Sequence, residues 1–316
     1  MRETFSAKVK EELAGVAGSG RHCRLAELAA LLRFCGAVTA GKSGNTIIRI
    51  STESPWAAKK VFTLLLKTFS IKADCSVRRS LARQSVSYLV YVHRQQDVVR
   101  ILQAVKMTGE DTGKVGSVNP VLVMQTCCKR AFLRGAFQAA GSMSDPNKAY
   151  HFEIVCPSQE LAEQVRILIC GFSLDAKTVK RKRSYVVYLK EGDQIVDMLN
   201  IMEAHVALME LENVRILKEM RNDVNRKVNC ETANINKTVS AAVKQAEDIA
   251  YLRDTIGFEN LPDGLAEAAR ARLAAPDATL KELGESMCPP VGKSGMNHRL
   301  RRLCELAEKV RQEQGG

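Results

Sequence analysis

The stretch LRGAFQAAG, residues 133–141, is a small-residue helical segment that ends in glycine. A second segment of the same kind, LAALLRFCG at 28–36, lies 105 residues earlier, with Gly36 in the place of Gly141. Small residues let two helices approach until their backbones are nearly in contact. The two segments therefore predict a pair of related helices that pack against each other.

The two segments open two copies of one α+β unit. In each copy the predicted order is helix, strand, helix, two strands, helix, and alternating β-branched and aromatic residues indicate the strands. The matched segments are IIRIST (47–52) with HFEIVCP (151–157), SYLVYV (87–92) with SYVVYL (184–189), and VVRIL (98–102) with IVDML (195–199).

The copies span about residues 22–105 and 125–205, and a glycine-rich linker, 106–122, joins them. The offset between copies falls from 105 residues at the first helix to 97 at the last strand. We therefore expect eight extra residues in the hairpin turn of the first copy.

This plan resembles the LAGLIDADG family of DNA-cutting enzymes, in which two motif helices pack at a pseudo-two-fold axis and two sheets form a saddle over DNA. In that family the eighth motif position is an acid that holds a metal ion, and here those positions are Cys35 and Ala140. Neither side chain ligates Mg²⁺, which prefers carboxylate oxygens. The resemblance therefore predicts the scaffold without its chemistry: no catalytic residue, no metal and no cofactor.

A divergent metal-dependent DNA endonuclease with relocated acids is the alternative. Its candidate carboxylates are Asp145, in the turn before Pro146, and Glu153. Strand alternation places Glu153 on the side opposite to Phe152 and Ile154. We expect Asp145 to cap its turn instead, as aspartate does in many turns.

The chain is basic throughout its repeat. Its 316 residues carry a net charge of +12, and residues 1–216 hold 31 Lys and Arg against 20 Asp and Glu. Such a charge favours a polyanionic partner, although a basic enzyme would share it. Two basic clusters lead into the last strands of the copies, where we expect phosphate contacts: Arg78, Arg79 and Arg83, and Lys180, Arg181, Lys182 and Arg183.

The sequence contains no apolar run long enough for a membrane span and no signal-peptide core, so we expect a cytoplasmic protein without a membrane partner. Its ten cysteines are scattered, and no C-x-x-C motif is present. We expect buried, reduced thiols and neither disulfides nor a zinc site.

The C-terminal part is predicted to be helical. A polar, Asn-rich segment (222–238) precedes a helix whose face is expected to be Val239, Val243, Ala246, Ala250 and Leu252. Three further helices follow. The second carries a capping box, Thr279-x-x-Glu282, and after a six-residue turn, CPPVGK, Ser294 is expected to cap the third.

The last two helices are typical of a helix-turn-helix, with a buried stripe of Met296, Leu300, Leu303 and Ala307 on the third helix. Arginine and asparagine suit the reading of guanine and adenine edges. A protein-binding module is the alternative, because the turn is longer than usual. The expected DNA-binding residues are Thr279, Lys281, Lys293, Ser294, Asn297, His298, Arg299, Arg301 and Arg302.

The whole chain resembles the bacterial WhiA family. The resemblance is close in SAKVKEEL (6–13), AFLRGAFQAAGSMSDP (131–146), NCETANINKTV (229–239) and TLKELGESMCPPVGKSGMNHRLRRL (279–303). It implies a non-enzymatic, DNA-binding transcriptional regulator that acts in cell division, chromosome segregation or sporulation. The implied partners are double-stranded DNA and other transcription factors or RNA polymerase, for a monomer associated with the nucleoid.

The predicted organisation is an N-terminal helix (1–21), the repeat domain (22–216), a linker helix (217–258) and the helix-turn-helix domain (259–316). A further alternative keeps only the last domain on DNA and makes the saddle a protein-interaction surface.

Overall fold

The computed structural model of the chain describes residues 4–16, 18, 20–40, 45–80, 85–107 and 116–314. Contacts divide the chain into two compact units, residues 1–218 and 219–316. The first unit combines helices and sheets, and the second is helical. Within the described ranges, no helix is long and apolar enough to span a bilayer.

Two copies of one unit make up most of residues 1–218, which confirms the predicted α+β class and repeat. The first copy consists of α2 (Arg21–Cys35), β1 (Gly36–Ala40), β2 (Thr46–Thr52), α3 (Pro55–Phe69), β3 (Asp74–Ser80), β4 (Ser85–Val92) and α4 (Gln95–Ala104). The second consists of α5 (Thr126–Ala140), β5 (Gly141–Met143), β6 (Phe152–Cys156), α6 (Gln159–Cys170), β7 (Lys177–Arg181), β8 (Ser184–Leu189) and α7 (Gly192–Met202). The strand that directly follows each motif helix, β1 or β5, is an addition to the predicted order.

Each copy folds its four strands into an antiparallel sheet, in the order β1-β2-β4-β3 or β5-β6-β8-β7. Alternate residues of the central strands, such as Ile48, Ile50 and Ile154, are buried against the helices. Their neighbours along each strand lie on the other side of the sheet. We call this side the open face; it carries Arg49 in the first sheet and Glu153 in the second.

The β3–β4 hairpin is six residues longer than the β7–β8 hairpin, so the expected difference of eight is wrong. Asp74 pairs with Tyr91, and Lys177 with Tyr188, at equivalent positions of the two copies. Each strand of the first hairpin has two additional residues, and so does the segment that joins them. The other two additional residues lie before α3 and between α3 and β3. The change of offset between matched segments gives the number of inserted residues, but it does not show where in the copy they lie.

The motif helices α2 and α5 are in contact through their small residues. A Cβ on Gly135 would lie 2.6 Å from the backbone oxygen of Glu27 and 3.0 Å from the Cβ of Ala30. Ala30 is the equivalent of Gly135 in the other copy, 105 residues earlier. The pseudo-two-fold axis therefore passes between these two positions, and the glycine allows the backbones to meet there.

A buried ion cluster lies beside the α2–α5 contact. The Glu27 carboxylate accepts hydrogen bonds from Nε of Arg134 at 2.8 Å and lies 3.0 Å from Nζ of Lys60. Glu203 pairs with Arg134 at 2.9 Å. Since Glu27, Lys60 and Arg134 are at most 1% exposed, removing Glu27 would leave Lys60 buried without its carboxylate partner, at a cost of about 3–5 kcal/mol. The cluster ties α3 and both motif helices together.

The N-terminal helix α1 (Phe5–Gly15) belongs to the first unit, where Leu13 is fully buried. The Glu12 carboxylate accepts hydrogen bonds from the backbone N–H groups of Val206 and Ala207 at 2.8 and 2.9 Å. These groups are among the first donors of the helix that follows α7, and helix-start donors have no partner within their own helix. Glu12 therefore caps that helix.

The helix α8 (His205–Thr255) begins in the first unit and ends in the second. The polar segment 222–238 was expected to precede a helix; it lies inside α8, and all residues from 221 to 240 are exposed. Met220, Val224, Val228 and Ile235 recur at helical spacing in this part but are 52–62% exposed, and backbone hydrogen bonds within the helix satisfy its polar groups without a core. Val239 and Val243 are 54% and 52% exposed, so the expected buried face is also wrong at these two positions.

The second unit packs the end of α8 with α9 (Asp263–Ala274), α10 (Leu280–Glu285) and α11 (Lys293–Gln314). The predicted buried stripe of α11 is confirmed, because each of its four residues is fully buried. It shares a core with two fully buried residues of α8. These six core residues are Ile249, Leu252, Met296, Leu300, Leu303 and Ala307.

Candidate nucleic-acid interface

The first turns of α11 present polar and basic side chains to solvent. Asn297, His298, Arg301 and Arg302 are exposed, and His298 and Arg302 lie on the side of the helix opposite to the buried Leu300. Because the buried stripe holds the helix in place, these four side chains project from a rigid support. Contact between these side chains and DNA stays a prediction.

The helix α10 begins with the predicted capping box. The backbone N–H of Glu282 donates to Oγ1 of Thr279 at 3.3 Å, and the backbone N–H of Thr279 donates to Oε2 of Glu282 at 2.7 Å. Hydrogen bonds from Thr279 hold the pKa of Glu282 below its usual value. Thr279 thus has a structural task beside its predicted contact with DNA, whereas Lys281 is exposed and lies 3.8 Å from Glu285.

The connection between α10 and α11 runs from residue 286 to 292, one residue longer than expected. Its Val291 N–H donates to the carbonyl of Gly284 at 2.9 Å, and a Cβ on Gly284 would lie 2.0 Å from the Val291 oxygen. Only glycine leaves room for this turn. The first helical hydrogen bond of α11 runs from Met296 to the carbonyl of Gly292 at 3.0 Å, so Gly292 occupies the N-cap position and the expected cap by Ser294 is wrong.

Two of the predicted DNA-binding arginines have partners on the protein. The guanidinium carbon of Arg299 lies 3.5 Å from the place of a Cβ on Gly264, so Arg299 points towards the start of α9. Nε of Arg301 donates to Glu305 one turn further along at 2.9 Å. Lys293 and Ser294, in the first turn of α11, are exposed. Helical periodicity in the sequence distinguishes buried from exposed positions on α11. It does not reveal that Arg299 and Arg301 contact other parts of the protein.

A groove of about 520 Å³ lies between α8 and the α9–α10 connection, within the second unit. Asn297 and Thr279 line one side of it, and Thr238 and Val239 line the other. Asn297 therefore borders a concave surface that the sequence did not indicate.

The two hairpins place one arginine each at equivalent positions on the open face. Arg78 pairs with Ser87, and Arg181 pairs with Ser184, the equivalent of Ser87. Nη1 of Arg181 lies 3.5 Å from Oε2 of Glu153, on the same face. The predicted equivalence of the two basic clusters is thus found for this pair.

The other basic residues of the clusters are arranged differently. Arg79 and Lys180 follow and precede the paired arginines, so they point to the opposite side of their strands. Nζ of Lys180 lies 6.0 Å from the ring centroid of Tyr185. Lys182 and Arg183 form the exposed two-residue turn, with Lys182 at a φ of 55°. Arg83 is outside the described residues.

Arg49 is a basic residue of the open face that the two predicted basic clusters do not include. It is exposed and pairs with Ala37 and Tyr91 in the neighbouring strands. The signal was present in the strand IIRIST, where Arg49 stands between the inward-facing Ile48 and Ile50. Its equivalent in the second copy is Glu153, so the open faces of the two sheets differ in charge.

The degenerate acid positions are the last residues of the motif helices, as predicted. Sγ of Cys35 donates to the carbonyl of Leu31 at 3.0 Å, and Ala140 has no ligating atom in its side chain. Burial raises the pKa of the Cys35 thiol to about 12, although the charge of Lys10, on α1, opposes this shift. The end of α2 thus holds a neutral thiol near the ammonium group of Lys10, at the position for which the resemblance implies an acid in the cutting enzymes.

The relocated acids of the alternative have other partners. The Asp145 carboxylate accepts hydrogen bonds from N and Nδ2 of Asn147 at 2.9 and 3.0 Å, which caps the turn as expected and lowers the Asp145 pKa. Glu153 accepts hydrogen bonds from Ser142 at 3.0 Å and His151 at 3.1 Å. Neither carboxylate belongs to a group of three or more possible metal ligands in the described part of the chain.

One group of possible metal ligands does occur among the described residues, at the other ends of the motif helices. It consists of His22, Cys23, Cys127 and Cys128. Cys23 is distant in sequence from Cys127 and Cys128 and lies beside them in space. The expectation of buried thiols is wrong for the four exposed cysteines, Cys75, Cys127, Cys230 and Cys288.

Fold and site together define a class: a paired LAGLIDADG-like scaffold whose motif helices lack their acids, joined to a C-terminal helix-turn-helix. The WhiA N-terminal LAGLIDADG-like domain matches residues 21–108, the WhiA LAGLIDADG-like domain matches 129–221, and the WhiA C-terminal HTH domain matches 224–307. The chain belongs to the WhiA family, which confirms the resemblance found in its sequence.

The relatives cover the chain almost completely. A protein of Lachnoclostridium phytofermentans named "Probable cell division protein WhiA" is 54% identical over 98% of this chain and 100% of its own length. A protein of the same name from Alkaliphilus oremlandii is 50% identical over 98% of both chains. The crystal structure of full-length DUF199/WhiA from Thermatoga maritima has the same fold, with a TM-score of 0.60 and 24% identity over 97% of this chain and 99% of that chain.

Proposed function

We propose that the protein is a non-enzymatic, DNA-binding transcriptional regulator that acts in cell division. The helix-turn-helix family, the net charge of +12 and the name of the relatives support this role. The family resemblance extends the proposal to chromosome segregation and sporulation. Double-stranded DNA is the main partner, RNA polymerase or another transcription factor is a second, and the protein is a nucleoid-associated monomer.

The observation that carries the proposal is the exposed face at the start of α11. In a helix-turn-helix the first turns of the second helix enter the major groove. Asn297 offers an amide that pairs with adenine, and Arg302 offers a guanidinium that pairs with guanine. Both side chains are exposed on a helix that its fully buried stripe holds in place, so the backbone that carries them needs no ordering when it meets the bases.

The repeat domain has a different part in the proposal. Its basic residues lie on hairpin strands and turns, where long side chains reach phosphates and carry no base-specific geometry. We propose that Arg78, Arg181, Lys182 and Arg183 contact the backbone of the duplex, and we add Arg49 on the open face. The helix-turn-helix then selects the sequence, and the repeat domain adds affinity that depends on salt.

Selection of a preferred site from random double-stranded DNA by the full-length protein tests the proposal. Asn297→Ala and Arg302→Ala should each weaken binding to the selected site by about 1–3 kcal/mol and leave binding to a scrambled duplex nearly unchanged. Lys309→Ala, near the far end of α11, is the charge-matched control and should retain discrimination. If no site is selected, or if both variants discriminate as the wild type does, the assignment of base reading to α11 is wrong.

A cleavage assay separates the regulator from an endonuclease. We expect purified protein to leave supercoiled plasmid intact with Mg²⁺ or Mn²⁺, because thiol and methyl groups stand at the acid positions Cys35 and Ala140. Nicking that returns when Mg²⁺ is added to metal-free protein, and that disappears in Glu153→Gln, would establish the relocated-acid alternative.

A further inference from the structure

Four side chains that ligate soft metal ions converge at the start of the motif helices. Nδ1 of His22 lies 3.1 Å from Sγ of Cys128, 3.3 Å from Sγ of Cys23 and 3.9 Å from Sγ of Cys127. All four ligand atoms lie within 4.8 Å of one another. In a tetrahedral zinc site with Zn–N near 2.0–2.1 Å and Zn–S near 2.3 Å, nitrogen and sulfur ligands are about 3.5 Å apart. The observed spacings bracket this value.

The four ligands are related by the internal repeat. An offset of 105 residues carries His22 onto Cys127 and Cys23 onto Cys128, and the same offset relates α2 to α5. Each copy therefore contributes two adjacent residues from the first turn of its motif helix. Cys23 and Cys128 are buried, whereas His22 and Cys127 are exposed. The site lies across the pseudo-two-fold axis and is incomplete in either copy alone.

The surroundings favour anionic ligands. Neither α2 nor α5 has a side-chain hydrogen bond from its N-cap residue, Gly20 or Gln125. The positive ends of two helix dipoles therefore meet at the cluster, where they stabilise thiolates. Thiolates bound to zinc supply the negative charge that these uncapped helix starts lack.

The segment before α2 packs closely on the cluster. A Cβ on Gly20 would lie 2.5 Å from Nε2 of His22, and a Cβ on Gly18 would lie 2.8 Å from the Cβ of Cys23. Glycine at these two positions leaves room for the imidazole, with Nδ1 turned towards the three sulfur atoms and Nε2 towards the chain. The backbone is thus shaped around this orientation of His22.

We propose that His22, Cys23, Cys127 and Cys128 form a structural Zn²⁺ site that joins the two copies of the repeat. Three cysteines and one histidine that can coordinate one ion tetrahedrally are a ligand set that zinc prefers. Four protein ligands leave no coordination position open for a reacting water, as in structural zinc sites. The site is about 18 Å from the degenerate acid position Cys35 at the other end of α2, at 1.5 Å per residue, so the two positions are separate. Its task is to hold the starts of α2 and α5 together.

A disulfide is the main competing outcome. Cys127 and Cys128 are adjacent in the chain, so a disulfide between the copies would join Cys23 to one of them and leave the other sulfur atom and His22 without a role. A tetrahedral metal ion uses all four ligand atoms, which lie within 4.8 Å of one another.

Metal analysis of the full-length protein, purified under reducing conditions with Zn²⁺ in the medium, tests the site. We expect elemental mass spectrometry to find about one zinc ion per chain. After exchange of zinc for Co²⁺, we expect the visible absorption spectrum of a tetrahedral cobalt–thiolate centre. Removing the zinc with a chelator should lower the melting temperature of the wild type, because metal binding to the folded state stabilises it.

The exposed ligands give the sharpest variants, since replacing them leaves the core intact. Cys127→Ser should remove about a third of the sulfur-to-cobalt charge-transfer intensity, and His22→Ala with Cys127→Ser should lower zinc affinity roughly tenfold or more. Cys75→Ser, an exposed cysteine of β3, is the matched control and should keep the full zinc content. Cys23→Ser and Cys128→Ser should lose zinc as well.

Several results would overturn the proposal: folded, reduced wild-type protein that binds no zinc, a zinc content unaffected by the His22 and Cys127 variants, a bound iron–sulfur cluster, or a disulfide among these cysteines in protein without metal. Each is read from the same preparation by metal analysis, absorption and mass spectrometry of the intact chain.

Discussion

At the scale of single residues, the space around a glycine determines whether a larger side chain can replace it. Gly135 stands where a methyl group would meet the backbone oxygen of Glu27 at 2.6 Å. The neighbour is backbone, so it cannot rotate away. Gly15, at the end of α1, has no atom within 4 Å of its would-be Cβ. The two glycines therefore differ in their tolerance of one additional carbon atom.

Gly135→Ala should destabilise the first unit by about 1–3 kcal/mol, because the added methyl group forces α2 and α5 apart in a well-packed core. Urea or thermal unfolding of the full-length protein measures the change. Gly15→Ala adds the same group in open space and should be neutral or slightly stabilising. Equal stability of the two variants would show that α2 and α5 can separate at Gly135 without cost.

Glu153 gives a residue-scale prediction for pH. Burial opposes the shift, but hydrogen bonds from His151 and Ser142 and the charge of Arg181 outweigh it and hold the Glu153 pKa below its ordinary value of 4.5. A carboxyl with a lowered pKa in the folded state stabilises above its unfolded pKa, and this contribution disappears as the pH falls through the folded pKa.

Glu153→Gln should therefore be less stable than the wild type at pH 7, and the difference should shrink as the pH falls below about 4.5. Urea midpoints measured from pH 7 down to pH 3 test this expectation. Glu53→Gln, which removes an exposed carboxyl of the same unit, is the charge-matched control. A gap that stays constant with pH would mean that Glu153 contributes through packing alone.

At the scale of elements, the hairpins combine a repeated framework with charges that are only partly repeated. The register places Arg78 and Arg181 at equivalent positions, whereas Lys182 and Arg183 stand in a two-residue turn. The first hairpin is longer by two residues in each strand. The two copies therefore carry their basic side chains on hairpins of different length.

Neutralising the second hairpin should weaken DNA binding independently of sequence. The triple variant Arg181→Gln, Lys182→Gln and Arg183→Gln should lower the salt slope of binding by up to about 0.9 for each phosphate that the hairpin no longer neutralises. Affinities for a specific and a scrambled duplex at several salt concentrations measure it. Lys148→Gln with Lys190→Gln removes two charges outside the turn and serves as the comparison. A weakening restricted to the specific duplex would assign base reading to the hairpin.

At the scale of the whole molecule, the first unit is one body built from two copies. The motif helices bury their small residues against each other, and the Glu27 cluster crosses from one copy to the other through Arg134. The helix α1 adds its own apolar face and caps α8 through Glu12. Neither copy retains a complete core when the other is removed.

A fragment of residues 1–105 should therefore aggregate or remain poorly folded, because the exposed faces of α2 find no partner in water. A fragment of residues 1–218 keeps both copies and should unfold cooperatively. Circular dichroism measures whether each fragment unfolds cooperatively, and size-exclusion chromatography measures whether it aggregates. A monomeric 1–105 fragment with a cooperative transition would contradict the single-body interpretation.

Local sequence pattern was sufficient to predict those features that depend on residues within a single helix or strand. The alternation of IIRIST and SYVVYL, the capping box of Thr279 and Glu282, and the buried stripe of α11 were all readable in sequence, because each depends on residues close together in the chain. The internal repeat indicated the α+β class and the equivalence of the motif helices, and the LAGLIDADG resemblance identified Cys35 and Ala140 as the positions of the missing acids. The family resemblance supplied the biological role that is proposed.

Several features of the protein depend on tertiary packing and could not be predicted from local sequence pattern. The exposed middle of α8, the true N-cap at Gly292 and the partner of Arg299 depend on neighbours that are distant in sequence or on the absence of a neighbour. Folding also turned His22, Cys23, Cys127 and Cys128 from scattered residues into one cluster, because the pseudo-two-fold axis brings the starts of α2 and α5 together. Sequence determined which side chains exist at equivalent positions, and only the contact between the copies placed their ligand atoms within reach of one ion.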